Sequence, residues 1–153
     1  MLEARPFVKW VGGKSQLLDE IREKYPSKIE KYCEPFVGGG AVLFDILSTM
    51  HPETVLINDI NKELINTYSQ IKNNCDGMFS QLSEIQEIYK SHTLEENKAF
   101  FYEKRQRYND LKVNGNGAEN LGVTAKAVGC YALRYRSSSS LRCGGLLRRC
   151  FIA

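Results

Sequence analysis

No run of apolar residues in this 153-residue chain approaches the length of about 20 needed to cross a bilayer. The opening segment MLEARPFVKWVGGK lacks the apolar core and small-residue cleavage site of a signal peptide. The expected location is therefore cytoplasmic, with no membrane contact. The five cysteines (Cys33, Cys75, Cys130, Cys143 and Cys150) form no CxxC pair and no zinc spacing, so free thiols and no bound metal are expected. Proline is confined to the front of the chain: Pro6, Pro26, Pro35 and Pro52 are the only four, and none follows an aspartate. Acidic residues are absent from Leu121 to Ala153, a stretch that holds six Lys and Arg.

What remains is ordinary for one globular domain, with 42% hydrophobic and 25% charged residues, long enough to bury a core. The net charge of +3 conceals an asymmetry. Residues 1–100 carry 11 Lys and Arg against 15 Asp and Glu, and residues 101–153 carry 10 against 3. A split of this kind is compatible with a nucleic-acid-binding half.

Along the chain, residues 5–10 (RPFVKW) form a short apolar segment before Gly12-Gly13. A helix follows, placing Leu17, Leu18, Ile21 and Tyr25 on one face, and Pro26 ends it. Residues 31–37 (KYCEPFV) read as a buried strand running into Gly38-Gly39-Gly40, and residues 41–50 (AVLFDILSTM) as a helix buried on most sides. Residues 54–57 (TVLI) make a second strand, closed by Asn58-Asp59. Residues 61–73 form an amphipathic helix with Leu64, Ile65, Tyr68 and Ile71 inward. This order specifies a doubly wound α/β pattern with a parallel sheet. From about residue 76 the alternation stops. Met78, Phe79, Leu82, Ile85 and Tyr89 mark one helix, and Phe100, Phe101, Tyr108 and Leu111 another, as in an insertion.

The glycine cluster carries the chemistry. A strand that runs into a turn without side chains lets the backbone approach a ligand, and the next helix presents unpaired N–H groups and a positive dipole end. Such a loop suits a phosphate, a carboxylate or a nucleoside, or it is a tight structural turn. A GxGxxG dinucleotide fingerprint needs a third glycine where Leu43 stands. Asp59 ends the second strand, where an acid lies beside the glycine loop and can accept both hydroxyls of a ribose. The alternative is an N-cap for the following helix. Gly13-Lys14-Ser15 invites a P-loop reading, but that loop requires glycine where Val8 stands. Lys14 can instead hold a carboxylate, and Trp10 can stack on a purine; otherwise they are a solvated Lys and a core Trp.

FVKWVGGKSQLL (7–18), YCEPFVGGGAVLF (32–44) and LINDINKELINTY (56–68) together resemble the Dam-type, D12-class DNA adenine-N6 methyltransferases, and FFYEKRQRYNDLK (100–112) resembles their helical target-recognition segment. The resemblance implies a Rossmann-like S-adenosylmethionine-dependent methyltransferase fold with an incomplete sheet and the start of a helical target-recognition insertion. It divides the chain into a cofactor-binding part (1–75) and a partial recognition region (76–120), followed by an aberrant basic tail (121–153) that is expected to be disordered. It implies S-adenosyl-L-methionine as cofactor, bound by Trp10, Lys14, Glu34, Pro35, Phe36, Gly38, Gly39, Gly40, Asp59 and Ile60. Lys14 falls on the methionine-carboxylate side, Glu34 to Gly40 around the methionine end, and Asp59 with Ile60 at the ribose and adenine. The implied partner is duplex DNA with an adenine flipped out, and the implied state is a monomer. Arg105, Arg107 and Lys112 lie on the basic helix, where they meet phosphate or stand in water.

The family transfers its methyl group with an Asp-Pro-Pro-Tyr motif, and this sequence contains none. The tail is read as a frameshifted translation in preference to a solvated basic tail or a DNA-binding arm. The chain is thus expected to keep part of the cofactor pocket and to lack methyl transfer by itself. The competing reading is a non-catalytic nucleic-acid-binding or interacting remnant that pairs with a chain supplying the motif.

Overall fold

The structure, a computed structural model, describes residues 6, 13–113 and 150–152. A 3-10 turn at Lys14–Leu17 leads into the short helix α1, Leu18–Arg22. Strand β1 is Lys31–Glu34, helix α2 is Ala41–Thr49 and strand β2 is Thr54–Ile57. Helix α3 (Lys62–Asn73), helix α4 (Cys75–Ser91) and helix α5 (Leu94–Val113) follow, and strand β3 is Cys150–Ile152.

The three strands form one parallel sheet in the order β1-β2-β3. Parallel neighbours need a crossover, and α2 supplies it between β1 and β2, giving a βαβ unit. Lys31 stands opposite Thr54 and Glu34 opposite Ile57. Of the segment 121–153 the structure describes Cys150–Ile152, which pairs with β2 from Val55↔Cys150 to Ile57↔Ile152.

One face of the sheet carries the core. Val55 and Ile57 are fully buried with Leu43, Phe44, Leu47, Leu64, Tyr68 and Ile71 from α2 and α3, and Val37 joins them from the glycine loop. In α2 every residue from Ala41 to Leu47 is buried, as the apolar run predicts. The other face is not covered in the same way: Leu56 is 40% exposed, and its partner Cys33 is exposed too. Residues 31–37 were expected to form a strand buried throughout, and that needs correction in two respects. The strand stops at Glu34 because Pro35 has no N–H for a ladder, and its residues alternate because one face alone is packed.

Each chain reversal has a local cause. At the end of α2, Met50 N–H bonds to the Ile46 carbonyl at 2.9 Å, His51 turns left-handed (φ 50°), and Pro52 prevents continuation. Asn61 caps α3 by accepting the Leu64 N–H at 3.0 Å. Thr93 and Glu96 make a reciprocal capping box at the head of α5: Thr93 N–H donates to Glu96 Oε2 at 2.7 Å, and Glu96 N–H to Thr93 Oγ1 at 3.3 Å. The Thr93 N–H and then its hydroxyl, both donating to Glu96 Oε2, hold the Glu96 carboxyl below its usual range. Asn97 Nδ2 ties α5 back to the Tyr89 carbonyl at 3.0 Å, closing the α4–α5 hairpin.

A buried carboxylate fastens α1 to α2. Asp45 lies on α2 with its side chain 2% exposed, and the Arg22 guanidinium grips its Oδ1, with Nε at 3.0 Å. Tyr25 donates its hydroxyl to Asp45 Oδ2 at 3.0 Å. Burial, followed by the Asp45 carboxylate, pushes the Tyr25 hydroxyl up to about 12.

Candidate functional site

The carboxyl ends of β1 and β2 lie side by side, and the segments leaving them build the site. In open α/β sheets that edge is where ligands bind. After β1 the chain runs through Pro35, Phe36 and Val37 into the three glycines; after β2 it runs through Asn58 to Asp59 and Ile60. Two backbone bonds lock the exits together, Val37 N–H to the Asn58 carbonyl and Asn58 N–H to the Glu34 carbonyl, both at 3.0 Å.

Two of the three glycines are required by geometry. Gly38 and Gly40 both have positive φ, 51° and 76°. Gly40 is also the N-cap of α2, and a Cβ there would collide with the Tyr68 hydroxyl and meet Phe44 Cε2 at 3.0 Å. Gly40 N–H closes a tight turn onto the Val37 carbonyl at 2.9 Å.

Asp59 reaches the loop, as its position at the strand end predicts. Its Oδ2 accepts the Gly38 N–H and its Oδ1 accepts the Asn61 N–H, each at 2.9 Å. The carboxylate thus ties the glycine loop to the start of α3, and each oxygen keeps a lone pair for a further donor. The N-cap alternative is resolved in favour of Asn61, whose side chain does the capping.

Lys14 meets the segment that leaves β1. Its Nζ donates to Glu34 Oε1 at 3.0 Å and to the Phe36 carbonyl at 3.2 Å. Glu34 is 7% exposed, and its second oxygen accepts from the Tyr32 hydroxyl at 2.8 Å. Burial, then the adjacent Glu34 carboxylate, drives the Tyr32 hydroxyl far above its ordinary value, so it remains a donor. The ammonium of Lys14 has three hydrogens and spends two here, and its side chain is 45% exposed.

Two large apolar side chains are left in water at this edge: Phe36 is 71% exposed and Ile60 is 91% exposed. Pro35 is exposed as well, whereas Gly39 is buried in the loop. Lys14, Glu34, Pro35, Phe36, Gly38, Gly39, Gly40, Asp59 and Ile60 are therefore brought to one edge of the sheet. Trp10 lies outside the described residues.

Arg105 and Arg107 are exposed on α5, and Arg105 stacks over the Tyr102 ring at 4.7 Å. Lys112 lies in the last turn of the same helix. The sequence did not reveal the Lys14–Glu34 pair or the Arg22–Asp45–Tyr25 clasp, because each joins residues about 20 positions apart. Among the described residues no group of three or more His, Cys, Asp or Glu could hold a metal ion, and no helix is long and apolar enough to cross a membrane.

A glycine loop and a strand-end acid meet at the carboxyl edge of a parallel sheet, and the class of protein is an α/β domain. Residues 10–139 match the D12 class N6 adenine-specific DNA methyltransferases, and the chain belongs to that family. The match extends past the last of the motifs, residues 100–112, to residue 139. The chain is 41% identical over 116 residues to the Type II methyltransferase M.MjaIII of Methanocaldococcus jannaschii, which covers 72% of this chain and 40% of that protein. It is 37% identical over 108 residues to the DNA adenine methylase of Haemophilus influenzae, covering 71% of this chain and 35% of that protein. To the DNA adenine methylase of Escherichia coli K12 it is 35% identical over 127 residues, covering 72% and 44%. The chain thus spans about two fifths of the length of these relatives.

Proposed function

We propose that this chain is the S-adenosylmethionine-binding part of an adenine-specific DNA methyltransferase, with a Rossmann-like fold, and that alone it binds the cofactor without transferring the methyl group. The observation that carries the reading is the double engagement of Asp59 beside the glycine loop. A carboxylate fixed by two backbone N–H groups is held in place and still has lone pairs for ribose hydroxyls. The remaining residues fit the other parts of the cofactor. Lys14, with one hydrogen uncommitted, offers a positive charge to the methionine carboxylate; Glu34 holds that ammonium and can accept from the α-amino group. Phe36 and Ile60 offer exposed apolar surface to the adenine, and Trp10 completes the pocket on family grounds.

Bound S-adenosylmethionine supplies an electrophilic sulfonium methyl. The acceptor, the exocyclic amine of a flipped adenine, is a weak nucleophile because its lone pair is delocalised into the ring. The family's Asp-Pro-Pro-Tyr motif accepts the hydrogens of that amine, and no residue of this sequence occupies that role. Residues 1–75 then form the cofactor-binding part, 76–120 the beginning of a DNA-recognition region, and 121–153 a basic segment of aberrant composition. Arg105 and Arg107 on α5, with Lys112 farther along, are the candidates for phosphate contact in duplex DNA.

Equilibrium dialysis with S-adenosylmethionine tests the cofactor assignment. The chain is expected to bind at micromolar concentration, and Asp59→Ala to weaken binding at least tenfold. Equal binding by the Asp59→Ala chain would refute the role given to this carboxylate.

A further inference from the structure

We propose that Tyr68 is a positioning residue for the glycine loop: its buried hydroxyl holds the loop in the shape that receives the ligand. Nothing in the motif containing Tyr68 requires this, because on α3 it reads as one more inward-facing aromatic. The structure places it otherwise. Tyr68 is completely buried, and its hydroxyl donates to the Gly38 carbonyl at 3.0 Å. The same oxygen lies so close under Gly40 that a Cβ there would collide with it.

Gly38 is consequently pinned from two sides. Asp59 Oδ2 accepts its N–H at 2.9 Å, and Tyr68 donates to its C=O. The two posts stand at opposite ends of one segment, Asp59 just after β2 and Tyr68 in the middle of α3. Both glycines beside the posts are left-handed, a conformation that a loop without side chains leaves readily. A glycine loop has no side-chain packing of its own, so its shape must be imposed by bonds to its backbone. Of the three glycine N–H groups, that of Gly38 is spent on Asp59 and that of Gly40 on Val37. The orientation of the peptide between Gly38 and Gly39, which carries the Gly39 N–H, is set by the carbonyl that Tyr68 holds. Loss of the hydroxyl leaves that part-buried carbonyl without the Tyr68 donor, and rotation of the peptide is the way to recover one.

This inference rests on the cofactor reading above only for the identity of the ligand. Tyr68→Phe removes one oxygen and keeps the ring in the core. Ile71→Val, one turn farther along the same buried face, is the control for a general loosening of α3. Binding of S-adenosylhomocysteine is measured by calorimetry well below the unfolding midpoint of each variant, and amide hydrogen exchange is followed without ligand. Tyr68→Phe is expected to weaken binding about tenfold, or ~1.4 kcal/mol, while Ile71→Val binds as the parent does. Tyr68→Phe is also expected to accelerate exchange of the Gly38 and Gly40 amides, leaving the α3 amides protected.

Parent-like affinity and unchanged loop exchange in Tyr68→Phe would overturn the inference. Equal weakening by Ile71→Val would overturn it too, by showing that helix stability alone governs the site. If the parent chain binds no S-adenosylhomocysteine, the cofactor reading fails. The exchange rates then still decide whether Tyr68 sets the loop.

Discussion

Gly40→Ala adds a single methyl group at the most crowded point of the glycine loop. Two costs follow from the structure. The residue sits at φ 76°, where an L side chain costs about 1–2 kcal/mol relative to glycine. The new Cβ also overlaps the Tyr68 hydroxyl and meets the Phe44 ring at 3.0 Å, inside a core where inserting an extra carbon costs roughly 1–3 kcal/mol. Together these give a loss of about 3 kcal/mol, a large share of the ~5–15 kcal/mol that holds a domain together. In urea, with a slope of about 2 kcal/mol per molar, the midpoint should fall by about 1.5 M. The two costs separate in a double-mutant cycle. Tyr68→Phe removes the overlapping oxygen but leaves the backbone strain, so Gly40→Ala should cost less in the Tyr68→Phe background than in the parent. A Gly40→Ala midpoint within about 0.3 M of the parent, or strict additivity in the cycle, would refute the reasoning.

The remaining predictions concern the clasp between α1 and α2. Asp45→Ala should lower stability by about 2 kcal/mol in thermal or urea unfolding, below the usual cost of breaking a buried pair because Arg22, 42% exposed, can turn to water. The raised value of Tyr25 has a definite sign. Its hydroxyl is held protonated in the folded chain, so its contribution is fully present below the unfolded value near 10 and is lost as pH rises toward about 12. Unfolding midpoints measured across that window should fall more steeply for the parent than for Tyr25→Phe, and parallel curves would show that the Asp45 bond is not formed.

Some of this was legible in the sequence and some was not, for physical reasons. The β-branched run TVLI, bounded by turn residues, specifies a strand, and the structure places β2 at those four residues. The helical spacing of Leu64, Tyr68 and Ile71 likewise specifies α3 with these side chains buried. The nearness of Asp59 to the glycines follows from topology alone, since in a βαβ unit the exits of parallel strands are neighbours. What the carboxylate does there was not legible. A pattern can place an acid beside a loop without telling whether its oxygens meet a ligand or a backbone N–H. Phe36 and Ile60 stand in water while Leu43 and Phe44 are buried, and hydropathy gives these four residues the same reading. Tyr68 shows the same limit: periodicity buries the ring, but only the fold brings its hydroxyl to the Gly38 carbonyl, 30 positions away.

One titration tests the central claim most directly. The purified chain is incubated with methyl-labelled S-adenosylmethionine and adenine-containing duplex DNA, and the label is followed on the protein and in the DNA. The account predicts saturable label on the protein, displaced by S-adenosylhomocysteine, and none in the DNA. Methyl label incorporated into adenine, or a protein that retains no label at any concentration, would contradict it.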